Sequence, residues 1–436
     1  MVCPHGLSLK FVPSEPRVLS SKLADLSHGS RIPYNPLNLG QQYPPPTRQI
    51  ASWSVGHAAP HIQATEYAHM SSTSARKILK LDRPFEMRRG GALLGVEIAY
   101  ETWGDLGFCY DNAILIFTGL SPSAHAASST EDPSPGWWED MIGPGRPIDT
   151  RKYFVICVNS LGSPFGSTSP ASINPATGKP YRLTFPVLTV EDIARAGYEV
   201  ARSLGVKQLA AVVGPSLGGM TVLAYCALFP NAARTVITIS GAARSMPFSI
   251  ALRSLQREII RRDPLWQDGN YTQETMPVTG MRLARKLGMI TYRSAKEWAI
   301  RFGRERAEAE RTPGDPFGID FEVESYLENH ARKFTGQFDP NCYLYLSRAM
   351  DLFDLADHGG SVAEALRKFT VERALVIGVE TDLLFPIDQQ QELADGLAAG
   401  GRDVTFARLP SLQGHDSFLV DMDRFRPVIA DFLNSK

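Results

Sequence analysis

Cysteine is scarce in this chain: five in 436 residues, at Cys3, Cys109, Cys157, Cys226 and Cys342, with no Cys-x-x-Cys pair. Such an odd, scattered set excludes a disulfide framework and a cysteine-based zinc site, and it fits a reducing compartment such as the cytoplasm. Excess charge is absent too. The 45 Lys and Arg balance 46 Asp and Glu to a net −1, so no overall field recruits nucleic acid or an anionic membrane, although local basic patches stay open. No apolar run reaches the ~18 residues needed to cross a bilayer. The hydrophobic fraction (43%) and charged fraction (21%) are those of a soluble globular protein, long enough for one large domain with an insertion or for two.

Residues 1–69 lack sustained periodicity. They hold five of the nine histidines and the run Pro44-Pro45-Pro46. They also lack the build of a secretory signal or an arginine-rich transit peptide. The expectation is a disordered tail, or an initiation codon placed too early, since Met70 stands just before the first regular segment. The five histidines (His5, His28, His57, His61, His69) have no regular spacing and are not read as a metal site.

Regular structure begins near Phe85. Short, largely apolar runs at 96–102, 113–117, 153–158, 209–213, 235–240, 374–379 and 404–409 read as strands. Helical stretches such as 189–204 separate most of them, which predicts an α/β fold with a mostly parallel sheet and helices on both faces. Between Ser240 and Ala374 the rhythm breaks into helical segments at 247–262, 281–288, 295–310 and 323–333. The expected organisation is a core at 84–245 and 346–436 with an inserted helical lid at 246–345. Arg304-Glu-Arg-Ala-Glu-Ala-Glu-Arg311 reads as a solvated helix face with i,i+4 pairs.

Chemistry enters at Leu209-Ala-Ala-Val-Val-Gly-Pro-Ser-Leu-Gly-Gly-Met220, where an apolar run ends in a glycine-flanked serine and a helix-compatible segment follows. A sharp turn there lifts the Ser216 hydroxyl out of the sheet edge, as in the nucleophile elbow of the α/β-hydrolase fold. A nucleophilic serine needs a base and a group to orient that base. Past the lid, the run 374–379 leads into Glu380-Thr-Asp-Leu-Leu-Phe-Pro386, and 404–409 leads into Leu412-Gln-Gly-His-Asp-Ser-Phe418. Asp382 and His415 therefore each follow a strand, in the order serine, aspartate, histidine. His330 and His358, the other histidines after Ser216, read as surface residues. The oxyanion donors are expected from the amide of Leu217 and from the loop 118–125.

Over residues 85–436 the chain resembles the homoserine O-acetyltransferase family of α/β-hydrolase-fold acyltransferases. The resemblance rests on Trp137-Trp138, Met141-Ile-Gly-Pro-Gly-Arg-Pro-Ile-Asp149, Gly166-Ser-Thr168 and Ser172-Ile-Asn-Pro-Ala-Thr-Gly-Lys-Pro-Tyr181. The elbow, Asp382-Leu-Leu-Phe-Pro386 and Gly414-His-Asp-Ser-Phe-Leu419 complete it. It implies that Leu120 gives the second oxyanion amide, Arg285 binds an amino-acid carboxylate, and Asp416 binds its ammonium. The plainer readings are a lid-surface arginine and a structural turn residue. The loop Thr118-Gly-Leu-Ser-Pro-Ser-Ala-His-Ala-Ala-Ser-Ser129 departs from the family's commonest pattern. It is similar to the branch that acylates L-serine from succinyl-CoA, which implies an acceptor-specificity role for Ala126, Ala127, Ser128 and Ser129.

Phe248-Ser-Ile-Ala-Leu-Arg-Ser-Leu-Gln-Arg257 resembles that branch as well. Phe248, Leu252, Leu255 and Ile259 make an apolar helix face; Arg253, Arg257 and Arg261 make a basic one. Arg253 is the candidate reader of a succinyl carboxylate, against an exposed helix face or a contact to CoA phosphates. The expected activity is a ping-pong O-acyltransferase that uses acyl-CoA as co-substrate, with no bound cofactor and no metal. L-serine with succinyl-CoA leads; L-homoserine or L-serine with acetyl-CoA is the alternative. A serine esterase on the same scaffold is the competing class, and the intact triad weighs against a non-catalytic binding module. The family implies a homodimer through lid helices.

Overall fold

The computed structural model describes residues 75–307 and 315–435; the expectation for residues 1–69 lies outside them. The β-branched apolar runs become one eight-stranded sheet. In chain order its strands are β1 (Lys77–Lys80), β2 (Glu97–Trp103), β3 (Ala113–Phe117), β4 (Phe154–Val158), β5 (Leu209–Pro215), β6 (Ala233–Ile239), β7 (Arg373–Val379) and β8 (Asp403–Leu409). They lie in the order β1-β2-β4-β3-β5-β6-β7-β8. The β1–β2 and β2–β4 pairs are antiparallel and the others parallel.

Each central strand feeds two cores. In β3 the side chains of Leu115 and Phe117 enter one apolar cluster, and those of Ile114 and Ile116 enter the other. That alternation is the two-residue period of a strand covered on both faces. On the first face lie α1 (Val190–Ser203) and α2 (Leu217–Leu228). α1 starts where Thr189 accepts a hydrogen bond from the Asp192 amide and Asp192 accepts one from the Thr189 amide, a reciprocal cap.

Between β6 and β7 the chain forms α3 (Pro247–Arg262), α4 (Val278–Tyr292), α5 (Ala295–Phe302), α6 (Glu322–Phe334) and α7 (Pro340–Leu352). After them come α8 (Val362–Arg367), α9 (Ile387–Ala399) and α10 (Met422–Asn434). Phe425, Ile429 and Phe432 of α10 pack on the second face of the sheet.

The structure refines the reading of α3 and corrects the sequence reading in two other places. On α3, Ser249, Arg253, Gln256 and Ile260 are buried, Leu252 and Ile259 of the apolar face pack half-buried against the core, and Phe248 and Leu255 are exposed. Of the buried residues, Arg253 and Gln256 line a cavity. α5 stops at Phe302, where Gly303 takes a φ of 51°. Arg306 then pairs with Phe321 as an isolated antiparallel bridge, so the expected helix face does not form over 304–307, and 308–311 lies outside the described residues. His358 is not a free surface residue, because its Nε2 lies 3.1 Å from Glu191 Oε1 in a half-buried pair.

Candidate active site

β5 runs into α2 through a single residue, Ser216, held at φ 56° and ψ −118°. A left-handed φ is costly for a side-chain-bearing residue and marks a site where position matters more than local comfort. The flanking glycines make the turn feasible. A Cβ at Gly214 would sit 2.2 Å from the Gly218 carbonyl oxygen, and one at Gly218 would sit 2.3 Å from the Phe117 carbonyl oxygen. The spacing in Gly214-Pro-Ser-Leu-Gly218 is thus a steric requirement of a strand and helix packed this closely.

Asp382 and His415 arrive from the carboxyl ends of β7 and β8. The Asp382 Oδ1 accepts the backbone N–H groups of Leu384 and Phe385 at 2.8 and 2.9 Å, which fixes the carboxylate. Its Oδ2 accepts from His415 Nδ1 at 2.7 Å, and Ser216 Oγ donates to His415 Nε2 at 2.8 Å. The carboxylate can only accept, so it sets the imidazole tautomer and leaves Nε2 free to take a proton from the serine. Thr381 ties the two loops together: its hydroxyl donates to Ser411 O at 2.7 Å and accepts the Gly414 amide at 3.1 Å. Phe385 stacks on the His415 ring at 5.1 Å and Phe418 meets it edge-on at 5.9 Å. Burial works against an imidazolium here, yet Asp382 outweighs it and lifts the His415 pKa above its ordinary value.

Ser216 and His415 open on a cavity walled by Leu120, Arg253, Gln256, Arg285, Tyr292 and Asp416, among others. Leu217 is the first residue of α2, so its N–H lacks an intrahelical acceptor. The Arg285 guanidinium lies over the Phe334 and Tyr292 rings at 4.5 and 5.7 Å, and its buried Nε has no hydrogen-bond partner. A half-buried guanidinium in a cavity wall, with no hydrogen-bond partner among the described residues, suits an anion. Asp416 stands across from it, with Oδ2 3.5 Å from Arg293 Nε and a pKa raised by burial. Gln256, Tyr292 and Tyr343 also reach the cavity and were not singled out from the sequence. Inward spacing from Arg253 on α3 points to Gln256; nothing in the sequence points to Tyr343.

Ala126, Ala127, Ser128 and Ser129 are not brought to the cavity wall with Ser216; residues 119–122 of the same loop are. Ala126 and Ala127 are buried behind it. The Ala126 carbonyl accepts from the Trp138 amide at 2.8 Å, while the Trp138 indole donates to Phe418 O at 3.0 Å. Ser128 donates through its amide and hydroxyl to Glu139, at 2.7 Å each. This segment therefore reaches the histidine loop through Trp138 rather than by touching a ligand beside Ser216.

His125 locks the same loop. Its Nδ1 lies 2.9 Å from Glu101 Oε2, and its Nε2 lies 2.9 Å from the Ser134 carbonyl and 3.2 Å from Ser134 Oγ, whose proton goes to Asp132 Oδ1, so a doubly protonated ring satisfies both sides. Burial opposes the charge, but these bonds and Asp132 outweigh it and raise the His125 pKa. Burial raises the Glu101 carboxyl too, and the hydrogen bond and charge of His125 oppose that rise. A raised folded-state pKa adds stability below the unfolded value, about 6.5, and that contribution is lost as pH rises through the folded value. The difference in Tm between the native chain and H125Q should therefore shrink as pH goes from about 6 to about 9. A constant difference across that range would mean a neutral ring.

The sequence matches the family model described as the alpha/beta hydrolase fold over residues 112–420. It is 61% identical over 356 residues to a serine O-succinyltransferase of Stenotrophomonas maltophilia, covering 81% of this chain and 96% of that protein. It is 58% identical over 360 residues to a serine O-succinyltransferase of Litchfieldella anticariensis, covering 82% and 98%. Among solved structures it is similar to a homoserine O-acetyltransferase from Bacillus anthracis, with a TM-score of 0.76 and 29% identity over 83% of this chain and 98% of that one. It is also similar to the esterase E22, with a TM-score of 0.75 and 30% identity over 82% and 99%. The chain belongs to the α/β-hydrolase-fold acyltransferases, in the family that holds the serine O-succinyltransferases and homoserine O-acetyltransferases.

Proposed function

We propose that the protein is an L-serine O-succinyltransferase that works through a succinyl-Ser216 intermediate. The observation that carries this reading is that one cavity joins the Ser216–His415 pair to two guanidinium groups, Arg285 and Arg253. Each suits one free carboxylate: that of an amino acid and that of a succinyl group. An acetyl group would offer Arg253 no carboxylate.

In the first half-reaction Ser216 Oγ attacks the thioester carbonyl of succinyl-CoA and its proton passes to His415 Nε2. The negative oxygen formed is held by the amides of Leu217 and Leu120. Collapse breaks the C–S bond, His415 returns the proton to sulfur, and CoA leaves. In the second half the serine hydroxyl attacks the acyl-enzyme, its proton goes to His415, and that proton returns to Ser216 Oγ as O-succinyl-L-serine departs. Arg285 holds the acceptor's carboxylate and Asp416 its ammonium. The inserted helices act as a lid that keeps water from the acyl-enzyme until the acceptor arrives. Ala126, Ala127, Ser128 and Ser129 set acceptor choice through the packing of Trp138 and Phe418.

No helix among the described residues is long and apolar enough to cross a membrane. The reduced Cys109, Cys157, Cys226 and Cys342 support a cytoplasmic enzyme. Exposed Phe248 and Leu255 on α3, with Leu283 and Ile290 on α4, support a homodimer through these helices.

A grid of two donors and two acceptors tests the reading. Beyond a single-turnover burst, continued CoA release from succinyl-CoA should require L-serine, with acetyl-CoA and L-homoserine giving at least tenfold lower kcat/KM, about 1.4 kcal/mol of discrimination. Release as fast without acceptor would mean an esterase, the activity named for E22. Preference for acetyl-CoA with L-homoserine would overturn the substrate assignment but not the mechanism.

A further inference from the structure

Arg253 does not stand alone in the cavity wall. Its side chain is 7% exposed, and its Nε donates to Asp351 Oδ1 at 2.7 Å. Its Nη2 donates to Ser245 Oγ at 2.6 Å, and that hydroxyl donates to the Met350 carbonyl at 2.8 Å. Arg257, one turn further along α3, places Nη2 2.6 Å from Asp351 Oδ2 and donates through Nη1 to Ser347 Oγ at 2.9 Å. The Asp351 side chain is 1% exposed, so one buried carboxylate on α7 is shared by two guanidinium groups from α3. The cluster carries one surplus positive charge. Arg253 Nη1 donates to no described residue and belongs to the group that lines the Ser216 cavity.

A buried carboxylate between two arginines is a costly arrangement that similar-sized apolar residues would usually match in stability. Its distinctive result is geometric. With Nε and Nη2 anchored on one edge, the planar guanidinium is held in one orientation, and Nη1 is the nitrogen left without a hydrogen-bond partner among the described residues of this cavity-lining side chain. We propose that Asp351, with Ser245, is the positioning residue for donor choice: it orients Arg253 so that the enzyme selects acyl thioesters whose acyl group ends in a free carboxylate. This inference rests on the reading of Arg253 above. Asp351 touches no substrate and acts only through Arg253.

The test uses the full-length enzyme and the ratio of kcat/KM for succinyl-CoA to that for acetyl-CoA, with L-serine as acceptor. Arg253→Leu should lower this ratio at least tenfold, and Asp351→Asn should lower it about tenfold, the scale of one charge-assisted hydrogen bond. In the Arg253→Leu background, Asp351→Asn should leave the ratio where Arg253→Leu put it, because its effect passes through Arg253. Ser245→Ala, which keeps every charge, should lower the ratio by a smaller factor, about threefold. If Arg253→Leu shifts the ratio while folded Asp351→Asn reduces both donors equally, the positioning role is wrong and the reading of Arg253 stands. If Asp351→Asn does not fold, Ser245→Ala decides: a selective loss supports the role and an equal loss overturns it. If Arg253→Leu itself leaves the ratio unchanged, the reading of Arg253 and this inference fall together.

Discussion

Ser216→Ala should remove turnover, with a loss on the order of 10⁶ in kcat, because serine and histidine act as one unit. Asp382→Asn should cost about 10⁴ while leaving the fold intact, since the amide cannot hold the tautomer or balance the imidazolium. A pH profile separates these roles. His415 must be neutral to accept the Ser216 proton, so kcat/KM for succinyl-CoA should rise with pH as the imidazolium is lost. Asp382 raises the His415 pKa, so the midpoint should lie above the ordinary imidazole value of about 6.5. In Asp382→Asn that charge is gone and the midpoint should move down. A midpoint equal in both enzymes would detach the limb from His415, and a CoA burst surviving in Ser216→Ala would rule out the acyl-serine.

The elbow and its partners were legible in the sequence because each obeys a local rule. Gly214 and Gly218 are dictated by backbone contacts within a few residues and by the adjacent strand, and Asp382 and His415 by their place after apolar strands. What was not legible depends on which side of an element meets the cavity. Hydropathy would bury Phe248 and Leu255, yet α3 turns Arg253 and Gln256 inward, where they line the cavity beside Ser216 and hydrogen-bond to Asp351, Ser245 and the Ala284 carbonyl. Asp351 sits after an apolar stretch in α7 and its role exists only through two arginines nearly a hundred positions earlier. The edge strand β1, Lys-Ile-Leu-Lys, is four residues long and largely exposed, so it carries no apolar run to announce it. The family resemblance supplied Arg285 and Asp416; no local rule would have paired residues so far apart in the chain.

That pair leads to the largest effect expected outside the Ser216–His415–Asp382 relay. The Arg285 Nε is buried without a partner, and the guanidinium is held between Phe334 and Tyr292 in the free enzyme. Its desolvation is therefore already met before the acceptor binds, and a carboxylate arriving there gains a charge-assisted contact in a water-poor site. Arg285→Leu should lower kcat/KM for L-serine by 10² to 10³, corresponding to about 3–4 kcal/mol for breaking a buried charge pair. The first half-reaction does not involve the amino acid, so the burst of CoA from succinyl-CoA should survive. The accumulated acyl-enzyme should then turn over slowly with water. Arg285→Lys should recover part of the loss, because an ammonium restores the charge without the two-pronged geometry. In the proposed mechanism Asp416 acts on the other end of the same acceptor. Burial raises its pKa, so it must ionise at a higher pH than an ordinary aspartate before it can hold an ammonium. Serine KM should consequently rise as pH falls through that value, and Asp416→Asn should flatten this limb. If Arg285→Leu lost the CoA burst in the same proportion as turnover with serine, Arg285 would serve the donor half-reaction, and the two carboxylates would have to exchange their assigned arginines.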